Sequence, residues 1–354
     1  MSKILIAGAG GAPTEGVIRS LMECQKNEEI IGMGSEPFDL MTSAAVRKYQ
    51  VPYSVDPTYR QALMRILKKE KPDLIHFQND IEIREASAMR DDILSTGVKL
   101  YMPNHDVILN CVDKGASYNI WEKAGIRLPK TMLIMDEKDL KKSFETLGNK
   151  DGKIWLRAVV GGGGRGALPT AEYEFAKFWI ERFNGWGNFT AAELLTPDSV
   201  TWLSIWYRGE LVVAQGRKRL SWNFGNRTIS GVTGVTGVGQ TISDPVVDGV
   251  AQDAILAIDK CPHGIYGVDM TYDDAGLPNP TEINISRFFT TVHFFTQAGL
   301  NMPKIFKDIA LYDEFPSLDN KINPLPEGLL WLRGMDRKPV LTTMTELKAN
   351  LEHA

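Results

Sequence analysis

The chain has 354 residues, of which 43% are hydrophobic and 24% charged, and its formal net charge is -4. This length and composition allow sizeable buried cores spread over two or three lobes. The weak acidic balance argues against a nucleic-acid or membrane partner, and three scattered cysteines argue against a disulfide framework or a zinc cluster. A reducing cytoplasm is therefore the expected compartment.

Residues 1 to about 105 alternate short apolar runs with amphipathic segments. This alternation predicts a parallel sheet with helices on both faces. The glycine-rich turn at residues 8–11 does not complete a dinucleotide-binding pattern, because Pro13 stands in place of its third glycine. The predicted strands are residues 4–7, 30–33 and 74–77, and the predicted helices are residues 14–25 and 59–69.

Polar side chains follow the predicted strand at residues 74–77. Asn79, Asp80 and Glu82 stand just beyond its carboxyl end. Open parallel sheets bind ligands at that end of their strands, so these residues are candidate substrate contacts. A solvated loop is the alternative.

Residues 111–131 predict a helix with a cation at its start. Asp113 can cap the helix, Ile120 and Trp121 are spaced as a buried helical face, and Gly125 ends it. Lys114 then lies where the helix dipole disfavours a cation unless an anion is nearby. The position therefore indicates a neighbouring anion.

Residues 152–167 combine an apolar strand that carries Arg157 with four consecutive glycines and Arg165. Residues without a Cβ atom let backbone N–H groups approach phosphate oxygens closely, and arginine offers a charged planar fork to the same oxygens. The pattern predicts a flexible lid over the phosphates of ATP. A solvent loop is the alternative.

Residues 189–195 predict a strand that runs into a short connector between two lobes. Such a connector offers backbone groups to the edge of an adenine ring, and Glu193 can accept a hydrogen bond from the exocyclic amine.

Two arginines alternate on a predicted strand that starts near residue 215. Arg217 and Arg219 point to one face and Lys218 to the other, and a glycine-rich loop follows. Two guanidinium groups beside free backbone amides suit a carboxylate and the γ-phosphate that it attacks. A solvated strand edge is the alternative, since cations are common there.

Residues 264–287 predict a β-hairpin around an Asp-Asp-Ala-Gly turn. Strand alternation places Glu282 and Asn284 on one face, where Asp269 of the partner strand can join them. Two carboxylates and an amide oxygen suit Mg²⁺, which takes its other ligands from water and substrate phosphates. Arg287 could neutralise a transferring phosphoryl group, and ordinary surface acids on a solvated hairpin are the alternative.

In this order the segments resemble the ATP-grasp superfamily, and within it carbamoyl phosphate synthetase and biotin carboxylase. The resemblance implies an α/β fold with an N-terminal Rossmann-like domain over residues 1–105 and a two-lobed ATP-grasp domain after it. The small lobe would span residues 106–185 with the glycine lid, and the large lobe residues 186–325 with the metal site. Residues 326–354 would form an extension whose role the sequence leaves open.

The resemblance also implies ATP and Mg²⁺ as cofactors, with Mn²⁺ as a substitute metal. Asp198 is assigned to the ribose, because Ser199 and Val200 stand where the family commonly has an acid. The implied nucleotide contacts are Lys114, Arg157, Gly162, Gly163, Gly164, Glu193, Leu195 and Asp198, the implied metal ligands are Asp269, Glu282 and Asn284, and the implied catalytic residues are Arg217, Arg219 and Arg287.

One departure from the family concerns the metal motif. The family usually has arginine four residues after the glutamate, whereas this chain has Ser286 there and Arg287 one residue later. The predicted function is an ADP-forming ligase that joins a small-molecule carboxylate to an amine, with a homodimer considered as the assembly. The alternatives are a bicarbonate-activating enzyme and a catalytically silent nucleotide-binding protein.

Overall fold

A computed structural model describes residues 2–24, 28–160, 164, 166–232, 234–333, 349–350 and 352–353. Its strands in chain order are β1 (Lys3–Ala7), β2 (Glu29–Gly34), β3 (Arg47–Gln50), β4 (Leu74–His76), β5 (Lys99–Leu100), β6 (Thr131–Ile134), β7 (Ile154–Ala158), β8 (Leu168–Thr170), β9 (Phe189–Glu193), β10 (Ser199–Tyr207), β11 (Glu210–Trp222), β12 (Thr236–Ile242), β13 (Gly264–Tyr272), β14 (Pro278–Ile285), β15 (Leu330–Leu332) and β16 (Glu352–His353). Its helices are α1 (Ala12–Met22), α2 (Pro37–Met41), α3 (Tyr59–Glu70), α4 (Asp80–Ala88), α5 (Arg90–Ser95), α6 (His105–Val112), α7 (Lys114–Lys123), α8 (Glu137–Leu147), α9 (Tyr173–Arg182), α10 (Pro245–Ile258), α11 (Val292–Gln297) and α12 (Met302–Tyr312).

The N-terminal part is a parallel sheet with the strand order β16-β3-β2-β1-β4-β5. Its central strand β1 is apolar along most of its length because both faces of the sheet are covered. Leu5 packs in one buried cluster with Leu63 of α3, and Ile6 packs in another with Val17 of α1. The parallel sheet predicted for the N-terminal domain is thereby confirmed.

The glycine turn between β1 and α1 is packed against protein. The Gly10 N–H donates to Glu15 Oε1 at 2.9 Å, and the Ala44 N–H donates to Glu15 Oε2 at 3.0 Å. A Cβ atom on Gly10 would lie 1.9 Å from the Asp39 carbonyl oxygen. In dinucleotide-binding folds the backbone amides at the start of this helix bind the pyrophosphate. Here Glu15 occupies one of these amides, that of Gly10.

A four-stranded antiparallel sheet with the order β6-β9-β7-β8 forms the small lobe. Its buried cluster includes Ile134, Leu156 and Phe189 of the sheet together with Leu140 of α8 and Ile180 of α9. Strand β9 is an inner strand of this sheet, so the sheet extends beyond residue 185, where the sequence suggested the lobe boundary.

A six-stranded antiparallel sheet with the order β14-β13-β10-β11-β12-β15 forms the large lobe. Strand β10 lies between β11 and β13, so Thr201 stands opposite both Arg217 and Asp269, and Asp269 stands opposite Glu282. Residues directly opposite one another in a sheet project to the same face. One cross-strand row therefore carries four polar side chains.

The N-terminal sheet and the large lobe pack together through apolar and hydrogen-bonded contacts. His76 at the end of β4 has ring contacts with Phe288 and with Phe306 of α12, and the Tyr101 hydroxyl after β5 donates to the Trp206 carbonyl oxygen of β10 at 2.5 Å. In the part of the chain that the structure describes, every helix is too short or too polar to cross a membrane.

Candidate active site

A cleft of about 610 Å³ lies between the small-lobe sheet and the large-lobe sheet. Its walls combine apolar and aromatic side chains with a few charged groups, as is typical of small-molecule sites. The nominated residues that line it are Lys114, Arg157, Gly164, Glu193, Leu195, Arg219, Asp269 and Glu282.

Thr201 is the centre of a hydrogen-bond network on the floor of the cleft. Its hydroxyl donates to Asp269 Oδ1 and accepts from Arg217 Nη2 at 2.8 Å and from Arg219 Nη2 at 3.3 Å. The sequence does not single out this threonine, because the order of strands that brings β10 between β11 and β13 is not visible in a single sequence. The network joins the two predicted arginines to a predicted metal ligand.

Lys114 lies at the start of α7, which Asp113 caps by accepting from the N–H groups of Gly115 at 2.8 Å and Ala116 at 3.0 Å. The Lys114 ammonium pairs with Glu282 Oε2 at 3.1 Å. Burial raises the pKa of Glu282, but Lys114, Arg157 and Arg287 together hold it at about 2. Glu282 is thus the anion that the helix-start lysine required, and it remains ionised at neutral pH.

Arg157 projects from β7 into the cleft. Its Nη2 donates to the Thr281 carbonyl oxygen at 3.0 Å. Burial lowers the pKa of this guanidinium, and Glu282 partly opposes the shift. Within the described residues Arg157 has no carboxylate within ion-pair distance, so it retains capacity for an anionic ligand.

Arg217 is a buried cation beneath the cleft floor, with 1% of its surface exposed. Its Nη1 donates to Thr236 at 3.1 Å and Thr291 at 2.8 Å, its guanidinium lies 4.5 Å from the Phe289 ring centre, and its Nε has no partner among the described residues. Burial and neighbouring Arg219 lower its pKa to about 9, although Asp269 acts in the opposite direction.

Arg219 lies beside Arg217 and lines the cleft itself. It donates to Thr236 at 3.2 Å and Ser199 at 2.9 Å, and its Nη2 lies 3.7 Å from Asp269 Oδ1. The guanidinium stacks 3.9 Å from the Trp222 ring centre. The tryptophan, which sequence analysis did not nominate, fixes the plane of this arginine.

Arg287 follows the metal-motif strand β14. Its Nη2 donates to Asn284 Oδ1, and Asn284 Nδ2 in turn donates to Asp269 Oδ2 at 3.0 Å. Ser286 has φ 55°, in the left-handed region, so the chain turns back immediately after the strand. This turn compensates for the extra residue before the arginine and returns its guanidinium to the metal motif.

Glu193 and Leu195 lie in the connector at one end of the cleft. Glu193 Oε2 accepts from the Lys130 N–H at 3.0 Å, and its Oε1 lies 3.6 Å from the Lys130 ammonium. The carboxylate is therefore engaged in holding β6 to β9, and its predicted contact with adenine stays a prediction.

Four nominated residues that the structure describes do not line the cleft: Asp198, Arg217, Asn284 and Arg287. Asp198 is largely exposed and lies 3.5 Å from the Lys218 ammonium. Gly164 does line the cleft; it has φ 73°, and a Cβ atom there would lie 2.6 Å from the Val232 carbonyl oxygen in the loop after β11. Gly162 and Gly163 lie outside the described residues.

Asp269, Glu282 and Asn284 suit a hard cation in donor type, although the Asn284 side-chain oxygen accepts from Arg287 here. The two carboxylates are directly opposite in the hairpin, and the Asn284 amide is hydrogen-bonded to Asp269. Among the described residues no three His, Cys, Asp or Glu side chains converge on one point. Two carboxylates and an amide fit Mg²⁺, which commonly takes most of its ligands from phosphates and water.

No protein-family model matches this chain, and a search of curated proteins finds no relative by sequence. Solved structures do match it. The biotin carboxylase domain of Hydrogenobacter thermophilus 2-oxoglutarate carboxylase, a dimer with MgADP, ADP and bicarbonate, aligns with a TM-score of 0.68 and 17% identity, covering 93% of this chain and 73% of the other.

Two further structures show the same similarity. Carboxyaminoimidazole ribonucleotide synthase from Aspergillus clavatus, complexed with ATP, aligns with a TM-score of 0.66 and 16% identity over 91% of this chain and 79% of its own. L-amino acid ligase from Bacillus licheniformis aligns with a TM-score of 0.65 and 12% identity over 88% of this chain and 74% of its own. The chain therefore has the ATP-grasp fold that its sequence predicted.

Proposed function

We propose that this protein is an ATP-dependent, ADP-forming ligase that joins a small-molecule carboxylate to an amine through an acyl phosphate. The observation that carries the proposal is the cross-strand row of Arg217, Thr201, Asp269 and Glu282, in which Asp269 and Glu282 line the cleft and Thr201 links Asp269 to the buried Arg217. It combines an anion-binding end with a metal-binding end in one rigid sheet. The cytoplasm is the compartment that the proposal assumes, and a homodimer stays a prediction.

The charge balance of the site supports an anionic ligand. The cations Lys114, Arg157, Arg217, Arg219 and Arg287 face the carboxylates Asp80, Asp269 and Glu282. Among the described residues of the site, cations therefore outnumber carboxylates, and an excess of buried charge of one sign is costly. A magnesium nucleotide remains anionic and would neutralise this excess.

The nucleotide would lie along the cleft, with adenine at the Glu193–Leu195 connector and phosphates at Arg157 and Lys114. Leu194 and Leu195 of this connector line the cleft between the two lobes. Mg²⁺, held by Asp269, Glu282 and Asn284, would neutralise charge on the transferring phosphoryl group. Arg219, which lines the cleft, would hold the acid, and the buried Arg217 beside it would add positive charge from below.

The chemistry needs positioning and charge neutralisation more than covalent help. A carboxylate oxygen of the substrate bonds to the γ-phosphorus while the bond from that phosphorus to the β,γ-bridging oxygen breaks, and ADP leaves. An amine nitrogen then bonds to the acyl carbon while the carbon–oxygen bond to phosphate breaks. Phosphate leaves, and the surplus proton of the amine passes to phosphate or solvent.

Bicarbonate is the second candidate for the acid, because the structurally similar biotin carboxylase domain from Hydrogenobacter thermophilus was solved with bicarbonate. Carboxyphosphate would then replace the acyl phosphate, with the same bonds formed and broken at phosphorus.

The test is ADP release from MgATP in the presence of individual amino acids, other carboxylates and bicarbonate, each with and without amines. An acid labelled with ¹⁸O in its carboxylate should transfer one label to the released phosphate, because its oxygen becomes the bridge of the acyl phosphate. Glu282→Gln is the matched control and should show neither signal. ADP release that no acid stimulates, or AMP as the product, would refute the proposal.

A further inference from the structure

A bidentate ion pair joins the N-terminal domain to the turn after the metal motif. Arg287 Nε donates to Asp80 Oδ1 at 2.5 Å, and Arg287 Nη2 donates to Asp80 Oδ2 at 3.0 Å. Asp80 is the first residue of α4, just beyond the carboxyl end of β4. Burial lowers the pKa of Arg287, but Asp80 and the metal-motif carboxylates outweigh burial and raise it. The guanidinium is therefore held as a cation in one orientation.

A second contact fixes the same turn. The Phe288 N–H donates to Gln78 Oε1 at 2.7 Å, and Gln78 is 4% exposed. Ser286 between the strand and Arg287 has φ 55°, a conformation that costs free energy for a residue with a side chain. Gln78 and Asp80 belong to the N-terminal domain, and their hydrogen bonds stabilise this turn of the large lobe. The large lobe alone would adopt the turn less readily.

The ion pair continues into the reaction centre through side-chain contacts. Arg287 also donates to Asn284 Oδ1, and Asn284 donates to Asp269 at 3.0 Å. A flexible arginine that must be ordered during the reaction loses rotamer freedom at that moment. Asp80 orders Arg287 in the folded protein beforehand, which is how preorganised charge lowers a barrier.

We infer that Asp80 is a positioning residue that holds Arg287 where its guanidinium neutralises the phosphoryl group during transfer. The N-terminal domain would thereby complete a site whose other charged groups belong to the ATP-grasp lobes. This inference rests on the proposed function. It differs from a simple domain contact in one respect: removing Asp80 should affect turnover through Arg287 rather than stability or nucleotide affinity.

The experiment uses the full chain with the acid that gives the strongest ADP release from MgATP. Asp80→Ala should lower kcat for ADP release by about 10- to 100-fold, the size of effect expected from a misplaced catalytic group. The Kd of a nonhydrolysable ATP analogue should stay within about twofold of the parent value, since Arg157 and Lys114 are unchanged. Asp80→Asn keeps the shape of the side chain and one acceptor oxygen, so its kcat should lie between those of the parent and Asp80→Ala. It replaces Asp80→Ala in the test if the alanine variant folds poorly.

A double variant separates positioning from a general structural role. If Asp80 acts only through Arg287, the variant Asp80→Ala/Arg287→Ala should be no slower than Arg287→Ala alone. Asp92→Ala is the matched control, because it removes an exposed aspartate–arginine pair of the same domain, the contact of Asp92 with Arg60 at 2.6 Å. It should behave as the parent in every assay.

Each outcome decides between the hypotheses. Parent-like turnover in Asp80→Ala, equal losses of turnover and nucleotide affinity, or additive losses in the double variant would overturn the positioning role while leaving the proposed function standing. A parent protein that releases no ADP with any acid refutes the proposed function, and this inference with it.

Discussion

Replacing Arg157 with alanine is expected to weaken the binding of a nonhydrolysable ATP analogue by about 30- to 150-fold. Arg157 lines the cleft, and its one hydrogen bond from Nη2 goes to the Thr281 carbonyl oxygen at 3.0 Å. A hydrogen bond between charged groups contributes about 1.5–3 kcal/mol, and each 1.4 kcal/mol is a factor of ten in Kd. A loss of about 2 to 3 kcal/mol gives the stated range.

The size of the effect follows from the surroundings of the guanidinium. Glu282, whose charge Arg157 also stabilises, keeps its ion pair with Lys114 at 3.1 Å in the variant, so no internal anion is left unpaired. The loss should therefore fall on the phosphates of the ligand alone. Arg157→Lys keeps the charge but not the planar fork, so its affinity should be intermediate.

Calorimetric titration with the analogue and with adenosine tests this reasoning directly. The ATP analogue should bind Arg157→Ala more weakly, whereas adenosine, which has no phosphates, should bind the variant and the parent alike. Arg60→Ala, an exposed arginine of the N-terminal domain, is the control. A Kd for the analogue within about twofold of the parent value would remove Arg157 from the phosphate site.

Three further predictions concern the floor of the cleft. Glu282→Ala should abolish Mg²⁺-dependent ADP release, because water only partly replaces a lost carboxylate ligand; unchanged turnover across a Mg²⁺ titration would argue against the metal assignment. Arg219→Ala should lower acid-stimulated ADP release far more than it weakens ATP binding, since its partner charge develops fully only during transfer; equal losses in the two assays would place it in ground-state binding. The lowered pKa of Glu282 should add to the free energy of unfolding; this contribution is complete above the unfolded pKa of about 4.3 and is lost as pH falls toward about 2. The free energy of unfolding of Glu282→Gln, measured with urea, should therefore not show this loss at acidic pH. The same pH dependence in the variant and the parent would contradict the ion pair with Lys114.

The fold and the charged residues that line the cleft could be predicted because local patterns indicate them. Apolar runs such as β1 mark buried parallel strands, and the alternation of Glu282 and Asn284 fixes which side chains of a hairpin share a face. What sequence could not supply is the order of strands in the large sheet. Thr201 is an ordinary strand residue in the sequence, and it becomes the link between Arg217 and Asp269 only because β10 lies between their strands.

Two other features also lay beyond sequence reasoning. The contact of Arg287 with Asp80 joins residues 207 positions apart, so no local pattern signals it. The distance along the chain from Glu193 favours Asp198 as the ribose contact. A residue just before a strand can direct its side chain to either face of the sheet, and the Asp198 side chain points toward Lys218. Spacing predicts contacts within one element much better than contacts between elements.

The ion pair between Lys114 and Glu282 has a consequence for the order in which ligands bind. In the protein alone, the ammonium and the carboxylate satisfy one another at 3.1 Å. A phosphate that attracts Lys114 would draw it away from Glu282, and a metal ion that takes Glu282 would draw it away from Lys114. Either ligand alone therefore breaks one good contact to make another, whereas the two together satisfy both groups. We expect the metal to raise nucleotide affinity, and the nucleotide to raise metal affinity by the same factor, as linkage requires.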